Sequence, residues 1–257
     1  VNYEEGMLMF FPVSAYPVLW CAAMALVLSG AAVQVAIGAG RSVVCGTFIL
    51  LWLGVAAGLP TLLCLNLLVS LVATAFGGLD IRWSDVALAS AATIAGCVVA
   101  SALPALPPPA LKALTGFALL VIALPRPPVP GILPSIASLR AGIAVASVVT
   151  GLLTVWTATP GPITALALAR GGRSGVEISR AMQPISVIGY GAALAWSGSL
   201  PIGQIGAGTF SGLVVATLLG TGLGFGLRLR IDPARVVLLI RITAAVAAVL
   251  LFASVLR

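Results

Sequence analysis

TVWTATPGPITALALAR, residues 154–170, sets the reading of the whole chain. Its flanks are apolar enough to be helix, yet Pro160, Gly161 and Pro162 interrupt them. Proline lacks an N–H and clashes with the preceding turn, so the backbone must break there. The run after the break, ITALALAR, is far shorter than the ~20 residues a spanning helix needs. A second stretch has the same shape: QVAIGAGRSVV, residues 34–44, breaks at Gly38 to Gly40 and is followed by a short apolar run.

The composition around these breaks is that of a membrane protein. Of 257 residues, 61% are hydrophobic and 7% charged, and the mean hydropathy is +1.21. A soluble domain carries about 25% charged residues to wet its surface. Long apolar runs recur from end to end, without the alternation over roughly ten residues of a membrane β-barrel. Ten apolar segments are read, at 14–37, 42–57, 60–78, 84–103, 110–125, 139–158, 162–170, 176–198, 206–227 and 233–256. The short ones, 42–57 and 162–170, either span or re-enter on the side they came from. The first long run is expected to be a retained span, and VNYEEG is either native or foreign to the protein.

Charge placement gives an orientation. With the N-terminus outside, Arg41, Arg82, Arg126, Arg140, Arg170, Arg173, Arg228, Arg230 and Arg235 fall at inward turns or segment ends, and Lys112 and Arg257 fall outside. This matches the positive-inside rule. The net charge of +7 is spread over segment ends, not gathered on one face, so nucleic acid is not an expected partner.

At an offset of 124, Pro60 meets Pro184, Thr93 meets Thr217, Gly96 meets Gly220, Pro109-Ala110 meets Pro233-Ala234 and Leu114 meets Leu238. The expected fold is therefore an all-α polytopic membrane protein of two inverted repeats. Residues 1–125 form the first repeat, 126–138 a proline-rich linker and 139–257 the second. Each repeat has a broken or re-entrant helix pair plus about three spanning helices, about eight to ten membrane segments in all, a design recurrent in secondary transporters.

Several chemistries lack their residues. There is no histidine, and Glu4, Glu5, Asp80, Asp85, Glu177 and Asp232 lie in the tail, in turns or at helix starts. A buried proton relay, a Ser-His-Asp set and a Walker loop are missing, so the chain is not expected to be an enzyme. Cys21, Cys45, Cys64 and Cys97 stand singly, which suits small core residues; no metal or cofactor is expected.

The breaks are what remains. Irregular backbone at membrane depth survives only where protein or water surrounds it. Helix N-termini opening there present free N–H groups and partial positive charge to an anion. Candidate binding residues are Gln34, Gly38, Gly40, Arg41 and Ser42 at the first break, and Thr157, Thr159, Pro160, Gly161 and Thr164 at the second. Asn66 with Ser70, and Gln183 with Ser186, add polar pairs sharing a helix face. Trp156, Arg180 and Arg241 rank second. Each has a plainer reading: Thr and Ser bond to backbone or to a neighbouring helix, Arg41 marks topology, Arg180 snorkels to the surface, and Trp156 anchors at the interface.

GGLDIRWSDVALASAATIAGCVVASALPALPPPALKALTGFALLVIAL, residues 77–124, resembles the characteristic run of the sulfite exporter (TauE/SafE) family. The second half repeats the theme in SGSLPIGQIGAGTFSGLVVATLLGTGLGFG and DPARVVLLIR. The breaks depart from that family's glycine cluster: GAGRS has no following proline, TPGP has no cluster, and Arg41 stands where glycine is usual. The resemblance implies export of sulfite, sulfoacetate or other organosulfonates across a bacterial inner membrane. The TPGP phrase is also similar to the opening helix of the LysE/RhtB amino-acid exporters. A non-transporting membrane scaffold is the third reading. The expected partners are a small anionic substrate and membrane lipids, with a homodimer left open.

Overall fold

The computed structural model describes residues 17–38, 40–78, 81–104, 106–124, 136–158, 161–170, 175–198 and 202–227. Beyond these it describes positions 238, 241–242, 245–246, 248–250 and 252–253. Every regular element among the described residues is helical. α1 (Pro17–Ile37) leads through the first break into a π-helical turn (Ser42–Gly46) and then α2 (Thr47–Phe76). α3 (Trp83–Ala102), α4 (Pro108–Ala123), α5 (Ile136–Thr157), α6 (Gly161–Arg170), α7 (Gly175–Ser197), the single turn α8 (Ile202–Ile205) and α9 (Ala207–Leu227) follow.

Among the described residues, four helices are long and apolar enough to cross a membrane: Val44–Phe76, Trp83–Ala102, Ser138–Thr157 and Ala207–Leu227. Their outward faces are apolar, with Val98 and Val99 on α3 and Leu219 and Leu223 on α9 exposed. A helix surface of this kind is suited to lipid. The described residues are those of an all-α protein with membrane-spanning helices.

α2 is not straight. Gly54 adopts φ 73° and ψ 167° inside it, dividing a short arm (residues 47–53) from a long arm (55–76). The sequence places this boundary near Pro60, but the chain turns six residues earlier. Glycine alone adopts such an angle readily, whereas a proline early in a helix removes only one backbone hydrogen bond. The arms run back on each other, since a Cβ on Gly58 would lie 3.1 Å from the Ile49 carbonyl oxygen. The short arm also returns along α1, bringing Trp52 edge-on to Trp20 at a ring distance of 6.0 Å.

The helices pair across the two halves of the chain. α3 runs beside α5, with Gly96 against the backbone at Val148 and Gly151, and with Val86 and Ala89 against Ile143. α9 runs beside α1 in the same sense, with Gly212 at Trp20, Gly220 at Leu28 and Gly224 at Ala32. Glycine lets backbones approach closely where no hydrophobic force drives helices together. α2 and α7 are antiparallel: Gly78 sits by Arg180 at one end, and Leu62 clusters with Tyr190 and Ala193 toward the other. The starts of α3, α5 and α7 therefore share one end of the bundle. Arg82, Asp85, Arg140, Glu177 and Arg180 lie at those starts.

The expected linker falls largely outside the described residues, and α5 begins at Ile136, three residues before the expected segment. Residues 1–16, with VNYEEG, also lie outside them.

Candidate functional site

Gly38 ends α1 in a left-handed turn (φ 90°), and Gly40 follows with φ 125°. Gly38 packs directly on α7, where an added Cβ would meet the Ser179 Cα at 2.5 Å. From there the chain doubles back, and Arg41 begins the return beside Leu65, about halfway along the long arm of α2. Arg41 is fully buried. This corrects its reading as a charge at an inward-facing turn: α1 overshoots, and the reversal at Gly38 draws the next charged residue into the bundle. The turn that follows is π-helical, a local widening often found at functional sites.

The Arg41 guanidinium donates from Nη1 to the Leu65 carbonyl oxygen and from Nη2 to Thr217 Oγ1 at 2.8 Å. Its Nε–H is buried and has no partner among the described residues. Both acceptors are neutral. The described carboxylates, Asp85 and Glu177, sit in the first turns of α3 and α7. Arg41 thus holds a positive charge, out of reach of solvent in this conformation, balanced by none of its bonded neighbours. Taking a cation out of water costs several kcal/mol even after relaxation.

The next residue ties the two breaks together. Ser42 donates to the Ala158 carbonyl oxygen at 2.5 Å, and Asn66 Nδ2 donates to Ser42 Oγ at 2.8 Å and to the same carbonyl at 3.3 Å. Ala158 ends α5 with φ 50°, a left-handed angle uncommon for any residue but glycine, and is fully buried. That strained turn aims its carbonyl at the first break. Asn66 Oδ1 is left without a partner among the described residues.

One turn toward the charged end lies a second polar layer. Gln34 Nε2 donates to Ser70 Oγ at 3.0 Å, and Gln183 Nε2 donates to the Gln34 carbonyl oxygen at 3.3 Å. Gln183 Oε1 is buried and without a partner among the described residues. Beyond this layer an open recess is lined by Thr74, Gly77, Gly78, Ser179, Arg180 and Gln183, among others. The layer of Gln34, Ser70 and Gln183 therefore stands between that recess and Arg41.

The structure thus brings Gln34, Arg41, Ser42, Asn66, Ser70 and Gln183 into one buried polar cluster bounded by Gly38 and Gly40. Ser186, one turn past Gln183, is buried as well. Thr164 is engaged elsewhere: it pairs with Thr150 at 2.8 Å and Ser147 at 3.4 Å, fastening α6 to α5. Thr157 bonds back to the Leu153 carbonyl at 2.8 Å. Thr159 and Pro160 lie outside the described residues, and Gly161 begins α6. Arg180 is half-buried at the recess, its guanidinium by Gly78. Trp156 and Arg241 are half-buried.

Two members of the cluster do not follow from residue type. Ala158 contributes a backbone carbonyl, which no side-chain motif announces. Thr217 carried a signal, its match with Thr93 across the two halves, but on an apolar helix that reads as a packing threonine. Compared with protein-family profiles, with curated proteins and with solved structures, the chain matches none.

Proposed function

We propose that this chain is a secondary transporter that exports small sulfur-containing anions, such as sulfite, sulfoacetate or other organosulfonates, across a bacterial inner membrane. The binding site is the cluster where the two breaks meet. One observation carries the reading: a fully buried guanidinium with an uncommitted N–H and neutral bonded partners, at the junction of two interrupted helices. An intramembrane ionisable residue is by default a mark of a substrate or ion pathway, and an anion is the ligand that offsets this charge.

The same reading takes the two halves as inverted repeats. Its support is the exchange of partners, α3 with α5 and α9 with α1, at glycines that correspond at an offset of 124. The short arm of α2 returns to the end where α1 begins, and α6 folds back along α5 through Thr164 and Thr150. Two half-helices then enter from opposite ends with their starts near the middle, as in broken-helix transporters. The charged ends of α3, α5 and α7 face the cytoplasm, the N-terminus faces outward, and the recess at Arg180 is the inner approach. Opening of the Gln34–Gln183 layer admits the anion, and an inside-negative potential, worth about 2.3 kcal/mol per charge per 100 mV, drives it outward. No catalytic step or cofactor is part of this scheme.

A second reading, export of zwitterionic amino acids, is favoured by the uncommitted oxygens of Asn66 and Gln183, which would accept from an ammonium group. Flux from proteoliposomes loaded with sulfite, sulfonates, amino acids, cations or neutral solutes tests both, with and without an imposed potential. Anion efflux at least about tenfold above protein-free vesicles, faster when the interior is negative, is expected. Preference for amino acids moves the assignment to the second reading. Equal leakage of every solute leaves a non-transporting scaffold.

A further inference from the structure

We infer that the ligand of this site is a monoanion that also carries a neutral hydrogen-bond donor, with Arg41 taking the charge and Asn66 Oδ1 taking the donor. The inference rests on the anion-exporter reading and narrows its substrate class.

The orientation of the Asn66 amide is fixed by its neighbours. The Ser42 hydroxyl spends its single proton on the Ala158 carbonyl at 2.5 Å, so Ser42 Oγ can only accept from Asn66. The group facing Ser42, and the Ala158 carbonyl at 3.3 Å, must then be the Nδ2 amide donor. Oδ1 is left pointing elsewhere with nothing to accept. Gln183 is fixed in the same way, because only its Nε2 can serve the Gln34 carbonyl, which leaves Oε1 orphaned. Buried amide oxygens are rarely left unsatisfied in folded proteins.

The charge and the orphan oxygen belong to neighbouring pairs of residues. Two successive residues of the return, Arg41 and Ser42, bond to two successive residues of the long arm, Leu65 and Asn66. A bare anionic headgroup would satisfy Arg41 Nε but, having no donor, would leave Asn66 Oδ1 unpaired. A ligand with an O–H beside its anionic group satisfies both. A single buried cation matches one negative charge, whereas a zwitterion would leave the guanidinium charge unbalanced. A site built to accept from a substrate hydroxyl discriminates strongly against an analogue that lacks it.

The test is calorimetric titration of the full chain in lipid nanodiscs with 2-hydroxyethanesulfonate, ethanesulfonate and 2-aminoethanesulfonate. The hydroxylated monoanion is expected to bind at least about tenfold more tightly than either of the others. In Asn66→Leu, or in Asn66→Ala where leucine is not tolerated, that advantage is expected to shrink to within about twofold. Equal binding of the hydroxylated and plain sulfonates overturns the inference and leaves the exporter reading standing, since a water would then be serving Asn66. Tightest binding of the amino compound overturns it in favour of a zwitterionic ligand. An advantage that survives in the Asn66 variants removes Asn66 as the acceptor. Binding of none of the three overturns this inference, and the flux assay with sulfite then decides the exporter reading separately. The wild-type ratios decide the ligand class without any variant.

Discussion

The two breaks differ in what they contribute. The first, Gly38 to Ser42, supplies side chains: a buried cation, a hydroxyl and a π-helical turn that aims them inward. The second, around Ala158, supplies main chain: one strained residue whose carbonyl receives Ser42 and Asn66. The polar side chain after it, Thr164, points back to α5. Matched irregularities in two halves of a chain need not share a task. Here one holds the charge and the other holds the frame against which that charge is placed.

If that division is right, Arg41 is where it breaks most visibly. Arg41→Met keeps the length of the side chain and removes its charge. Anion flux in proteoliposomes is expected to fall by at least about a hundredfold, because in the proposed function the lost contact is the one made to the substrate's charge. Thermal stability of the same variant is expected to hold or rise, since replacing a buried charge with an apolar side chain is often neutral or stabilising by roughly 1–4 kcal/mol. Loss of flux with loss of fold would instead make Arg41 a structural cation, and the two breaks would cease to differ in function.

Glycine and alanine at the turns sharpen the contrast in the opposite direction. Gly38→Ala places a methyl group 2.5 Å from the Ser179 Cα at a left-handed φ, so both packing and backbone oppose it. A loss of about 2–4 kcal/mol is expected, seen as a lower unfolding midpoint. Ala158→Gly relieves a left-handed alanine, and because the bond to Ser42 uses the carbonyl, that contact survives. The change is expected to be neutral or stabilising by up to about 1 kcal/mol. Destabilisation at both positions would mean that the strain at Ala158 is offset by contacts of its methyl group.

Much of this was legible in the sequence, and the rest was hidden for identifiable reasons. Apolar run lengths give α3, α4, α5, α6 and α7 to within a few residues, because membrane burial forces polar residues to the ends of helices. The interruptions at GAG and PGP announce themselves through residues that cannot continue a helix. The turn at Gly54 was hidden behind Pro60, since a lone glycine among apolar residues looks like helix packing. Arg41 was open to two readings, because the positive-inside rule counts charges near segment ends without knowing where the chain doubles back. The Ala158 carbonyl is invisible in principle: every residue has one, and only the turn decides where it points.

The smallest expected effect belongs to Thr164, which the sequence offers as a ligand and the structure engages with Thr150 and Ser147. Thr164→Val keeps the β-branched shape and removes the hydroxyl. The Thr150 hydroxyl then loses a neighbour within a membrane protein, where such interhelical bonds are worth about 0.6 kcal/mol on average and up to about 1.7. A small drop in unfolding midpoint is expected, with anion flux and its potential dependence held within about twofold of wild type. The comparison turns on that second number. Thr164 lies in the first turn of a half-helix as Ser42 does, and in a symmetric site the two hydroxyls would matter alike. A flux loss in Thr164→Val as deep as that in Arg41→Met would place substrate against both breaks. A loss confined to stability keeps α6 as a buttress, held to α5 by one threonine pair so that the Ala158 carbonyl stays aimed at Ser42.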